Sequence, residues 1–145
     1  MQKIQNDKIK ESVYIETLDN GMKIIIIPKP NTNKKYIIWG TKFGSIDNHF
    51  IEPKTGKEVK VPDGVAHYLE HKMFEQENGV DSLYKLMSLG LDANAYTTND
   101  HTAYLFGGIN NFYEGLDELM DYVQHPYFTD QNVEKERGII GQEIG

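Results

Sequence analysis

The sequence predicts an α+β fold, an antiparallel-rich mixed sheet with helices packed on one face. Three observations carry this. Short β-rich stretches separated by turn residues fill positions 13–43, helical periodicities follow from about residue 63, and a hairpin pattern over 92–107 interrupts them. Strands, helices, a hairpin and helices again is not the regular alternation of a parallel α/β sheet.

Residues 1–12 are polar and are expected to form a flexible arm ahead of one domain over 13–145. Val13 to Leu18 reads as a strand and Asp19-Asn20-Gly21 as a tight turn, because Asn and Gly tolerate positive φ. Met22 to Ile27 is a second strand, and its unbroken isoleucine run predicts burial on both faces. Tyr36 to Phe43 is a third, closed by Gly44-Ser45, and 45–62 is a long polar loop. Asp63 is the expected N-cap of a helix running to about Phe74 or Gln76, stopped by Asn78-Gly79. A second helix over about 80–89 carries Leu83, Leu86 and Met87 on one face. Asp92 to Thr98 and Thr102 to Gly107 are strands turning at Asn99-Asp100. Phe112, Leu116, Leu119, Met120 and Val123 share one face of a helix over 111–124, and a last helix covers about Asp130 to Ile144.

Composition narrows the function. The 145 residues carry 15 Lys+Arg against 22 Asp+Glu, a net charge of −7, which argues against a nucleic-acid binder. Zero cysteines exclude disulfides and thiolate metal sites. The longest apolar runs are too short to span a bilayer, and the N-terminus has no apolar signal core. A cytoplasmic domain whose chemistry rests on His, Asp, Glu, Ser, Tyr or Lys is expected.

The informative stretch is His67-Tyr68-Leu69-Glu70-His71. On a helix, His67 and His71 lie one turn apart on one face, so two neutral imidazoles can chelate one zinc. Glu70, one residue before the second histidine, can reach an attacking water. At about 100° per residue only Tyr68 and Lys72 face away from the rest, so this helix is expected to be enclosed over most of its circumference. On the last helix, Glu136 and Glu143 fall between Ile139 and Ile140 in angle, in the middle of the apolar face. Carboxylates placed there need cations, hydrogen bonds or a metal. A catalytic zinc needs a third protein ligand, and Glu143 is the natural supplier.

The string matches the inverted zinc-protease motif H-x-x-E-H. With G-V-A-H-Y-L-E-H-K-M-F, S-L-G-L-D-A-N-A-Y-T-T, H-T-A-Y-L-F and E-K-E-R-G-I-I-G-Q-E-I, the chain resembles the pitrilysin, insulin-degrading enzyme and mitochondrial processing peptidase family from about Leu18 to Ile144. The long loop, V-P-D-G-V-A-H and H-P-Y-F are most similar to a bacterial processing-protease-like subgroup. The resemblance implies a zinc-dependent endopeptidase with one Zn2+ per chain. It implies His67, His71 and Glu143 as ligands, Glu70 as general base and Glu136 as a carboxylate supporting the ligands. It also implies an edge strand at Asn94-Ala95-Tyr96 that binds peptide substrate in extended conformation, Asn94 bonding its backbone and Tyr96 walling a pocket. Family members have two homologous halves, so the chain is expected to be an N-terminal catalytic fragment, inactive alone, with a homologous partner subunit as a further expected partner.

Other readings stand beside these. By spacing alone the motif arises by chance in many proteins, and Glu136 has a lesser alternative reading as a structural salt-bridge partner. Asn94 reads also as a strand-end hydrogen-bonder and Tyr96 as sheet packing. His49, His101 and His125 read as solvated or backbone-bonding residues, and Ser45 and Ser82 have no nucleophile context. The alternative function is a non-catalytic peptide- or partner-binding module that retains a structural zinc site.

Overall fold

The computed structural model describes residues 1–135; Glu136 and Glu143 lie outside the described residues. Contacts divide the chain into two units, 1–33 and 34–145. Every strand pairing in the described residues is antiparallel, in sheets of three, three and two strands.

In the first unit β1 (Gln2–Asn6), β2 (Glu11–Thr17) and β3 (Lys23–Ile26) form a meander in that order. The stretch expected as an arm is therefore strand β1 in residues 2–6, paired with β2 from Gln2 opposite Ile15 to Asn6 opposite Glu11. Backbone pairing makes this strand, and its wholly exposed side chains give no hydrophobic pattern to read. The turn from β2 to β3 forms where expected. Leu18 N–H donates to the Met22 carbonyl at 2.8 Å, and Gly21 sits at φ +86°. Burial of the isoleucine run on both faces does not hold. Ile25, Ile26 and Ile27 are 57%, 49% and 49% exposed, because this unit has no helix to cover a second face.

The second unit is built on β4 (Lys35–Thr41), β8 (Thr102–Gly108) and β7 (Asp92–Thr97), in that spatial order. Register aligns Ile37, Phe106 and Ala93 in one cross-strand row and Trp39, Tyr104 and Ala95 in the next. These six side chains belong to one core with Leu86 of α2 (Ser82–Ser88) and Leu119 and Tyr122 of α3 (Phe112–Tyr122). The alternate residues Tyr36, Ile38, Asn94 and Tyr96 are exposed, so the helices occupy one face. Asp81 caps α2, its Oδ1 accepting from the Leu83 and Tyr84 N–H groups at 2.9 and 3.2 Å. Buried Glu118 of α3 accepts from Ser82 Oγ at 2.6 Å and pairs with Lys85, tying α3 to α2. The long loop folds back as a small hairpin, β5 (His49–Ile51) with β6 (Glu58–Lys60). No helix of the described residues is long and apolar enough to cross a membrane.

Candidate active site

The motif helix α1 spans Val65–Lys72. Its N-cap is Gly64 at φ +85°, not Asp63; a left-handed start suits glycine, and Asp63 instead accepts from Asn48 Nδ2 at 2.9 Å. The enclosure expected for this helix is present and goes further, since none of residues 64–76 is exposed. Tyr68 and Lys72, expected on the open side, are not exposed, and a helical stretch over 130–135 reaches Tyr68 and Glu75. Tyr68 donates its hydroxyl to the Val133 carbonyl at 2.7 Å. Lys72 is 0% exposed and pairs with Glu75 at 2.8 Å, while Lys135 reaches the other Glu75 oxygen at 3.5 Å. Burial works to raise the Glu75 carboxyl, but the two lysines hold it below its usual value.

His67 and His71 converge as helical spacing requires. Their Nε2 atoms lie 3.1 Å apart, with the rings edge-to-face at 4.7 Å between centroids. Two ring nitrogens bound at about 2.0–2.1 Å in a tetrahedron would sit roughly 3.3 Å apart, so the pair fits a zinc-sized ion. Two lone pairs brought this close repel unless a proton or a cation lies between them. Among the described residues no group of three or more His, Asp or Glu gathers into a metal set, and the third expected ligand, Glu143, lies outside them with Glu136.

Glu70 is 7% exposed, and a buried carboxylate is costly without a partner. The partner is Thr97, whose hydroxyl donates to Glu70 Oε2 at 2.5 Å. Tyr104 lies near; burial first, and the Glu70 charge second, push its phenol well above the ordinary range and keep it neutral. Thr97 lies in the S-L-G-L-D-A-N-A-Y-T-T stretch, where neither motif nor spacing assigns it a role. The available signal was strand alternation, which puts Ala93, Ala95 and Thr97 on the helix-covered side.

β7 is an edge strand among the described residues, paired only with β8. Thr98 N–H donates to the His101 carbonyl at 2.8 Å, so ladder alternation points the backbone groups of Asn94 and Tyr96 towards β8 and those of Ala93, Ala95 and Thr97 towards the open edge. The Ala95 N–H is taken there by the Asn94 side-chain oxygen at 2.9 Å. Asn94 and Tyr96 lie on the exposed face, Tyr96 edge-on to His101 at 5.7 Å. The three candidate peptide-binding residues are thus neighbours on one strand but divide between its two faces. His101 bonds Asp100 at 2.7 Å and Thr98 at 2.8 Å, His125 bonds Asp121 at 2.9 Å, and His49 pairs with Glu58.

Over residues 56–145 the sequence matches the family described as Insulinase (Peptidase family M16). It is 46% identical over 141 residues to the uncharacterized zinc protease YmfH of Bacillus subtilis strain 168, covering 97% of this chain and 33% of that protein. It is 28% identical over 134 residues to cytochrome b-c1 complex subunit 1, mitochondrial, of Mus musculus, covering 90% of this chain and 26% of that one. Among solved structures, an M16-like peptidase from Alicyclobacillus acidocaldarius is similar with a TM-score of 0.84 at 40% identity, over 92% of this chain and 31% of that chain. The chain spans about a third or less of the length of these proteins. Motif helix, edge strand and family match agree, and the chain belongs to the insulinase family of peptidases.

Proposed function

We propose that the chain is the N-terminal catalytic part of a zinc-dependent endopeptidase. The observation that carries this is the convergence of the His67 and His71 Nε2 atoms at 3.1 Å beside a buried Glu70. His67 and His71 would hold one zinc, with Glu143 as third ligand and Glu136 supporting the set. When bound, zinc supplies Lewis acidity, making a water nucleophilic at neutral pH and polarising the scissile carbonyl. Glu70 takes the proton from the attacking water and later delivers it to the leaving amine. The substrate is a peptide in extended form, added along the open edge of β7, where the Ala95 N–H is available once Asn94 releases it. A homologous second half or partner subunit would close over that peptide.

The experiment is Glu70→Gln in the full-length protein, assayed with a quenched peptide library and by elemental analysis. Retained zinc with lost cleavage is expected, and continued turnover would sink the general-base assignment. A second reading is favoured by the likeness to a respiratory-complex subunit, namely a partner- or peptide-binding module with a structural zinc. Cleavage by the wild-type protein that a chelator abolishes would exclude it.

A further inference from the structure

We propose that Thr97 is a positioning residue for Glu70, fixing one carboxylate oxygen of the base and leaving the other to the water. The inference rests on the general-base reading above and adds the group that aims the base. Thr97 Oγ1 has one proton, and two acceptors lie within reach: Glu70 Oε2 at 2.5 Å and Thr102 Oγ1 at 3.3 Å. Thr102 commits its own proton to the Phe43 carbonyl at 2.8 Å. The charged and nearer acceptor takes the Thr97 proton, because hydrogen bonds to a carboxylate are shorter and about twice as strong as neutral ones. The direction of donation is therefore set from the Thr102 side, and Thr97 points at Glu70.

The anchor is rigid. Thr97 and Thr102 are direct cross-strand partners of β7 and β8, so the hydroxyl sits on the sheet and not on a loop. Glu70 Oε1 makes no hydrogen bond to a described residue, and it is the oxygen the proposal leaves to the water. Carboxylate rotation about its last bond would exchange the two oxygens; the Thr97 hydrogen bond opposes that rotation.

The test uses the full-length protein as wild type, Thr97→Val and Thr97→Ser, with a quenched peptide library, zinc analysis and thermal unfolding. Valine keeps the shape and removes the donor; serine keeps the donor. The expected result for Thr97→Val is a kcat about ten- to a hundredfold lower, KM within twofold, zinc retained, and recovery of most of kcat in Thr97→Ser. In the metal-free protein, a cycle with Glu70→Ala should show coupling of about tenfold in the unfolding constant. Unchanged kcat in Thr97→Val, or a loss that serine does not restore, would overturn the proposal. Wild-type protein without chelator-sensitive cleavage would overturn the general-base reading and the positioning role with it, and the metal-free cycle would then report on the hydrogen bond alone.

Discussion

Lys72→Met separates electrostatics from packing at the back of the motif helix. Lys72 is 0% exposed, and its ammonium is held by Glu75 at 2.8 Å. Methionine fills a similar volume, so the substitution leaves little cavity and chiefly deletes the charge. Removing one partner of a fully buried pair costs about 3–5 kcal/mol, because the other charge is stranded. Here Glu75 keeps 23% side-chain exposure and Lys135 at 3.5 Å, so the stranding is partial. The expected loss is about 1–3 kcal/mol, or roughly 1 M in the urea midpoint at an m-value of about 2 kcal/mol/M. Urea unfolding followed by Trp39, the one tryptophan, reads it. Glu75→Gln added to Lys72→Met should recover more than half the loss. The Glu75 carboxyl is held below its unfolded value of 4.5, so the pair's contribution is complete above that pH and fades as pH falls through the lower folded value. The difference between wild type and Lys72→Met should therefore narrow below about pH 4.5. A Lys72→Met variant within about 0.5 kcal/mol of wild type at pH 7, or a double variant no better than the single, would refute the stranded-charge account.

Three further outcomes are expected. Elemental analysis should find one zinc per chain in wild type and none in His67→Ala, and retention of zinc in the variant would reject the ligand assignment. Ala95→Pro in the full-length protein should raise KM about tenfold with the fold intact, because the lost N–H faces the open edge and not β8; unchanged KM would reject peptide pairing there. Gly44→Ala should cost about 1–3 kcal/mol in urea unfolding, since a Cβ would lie 2.4 Å from the Asn99 carbonyl oxygen, where Ser45 and Ile46 bond the 98–99 backbone; a neutral result would mean that the turn yields freely.

Local rules made the histidine pair legible. A spacing of four residues on a helix forces His67 and His71 together whatever surrounds them, and the Asn99-Asp100 turn likewise needed no tertiary information. What escaped depends on elements distant in sequence. The helix angle puts Tyr68 on a side but does not name what covers it; the stretch that meets Tyr68 comes some sixty residues later, at 130–135. The isoleucine run failed for the opposite reason: a β-branched run states strand propensity clearly and says nothing of how many layers flank it. Asp63 is a favoured capping type, yet its carboxylate was claimed by Asn48 across the loop, and the left-handed Gly64 starts the helix unaided.

β7 then carries two roles along one period-two pattern. Its inward side chains, Ala95 small and Thr97 a donor, meet the core and Glu70, while the backbone groups of those same residues face the open edge. A peptide added to that edge would be registered against Thr97, the residue whose hydroxyl holds Glu70. Distance from the paired peptide bond to the base would then be set within one residue of the sheet, without any contact to the peptide's side chains. On the proposed function, cleavage would then be governed by extended conformation more than by sequence. It also explains why a one-residue slip of β7 would be fatal to the site: Thr97 would turn to solvent, and Glu70 would lose its only described hydrogen-bond partner.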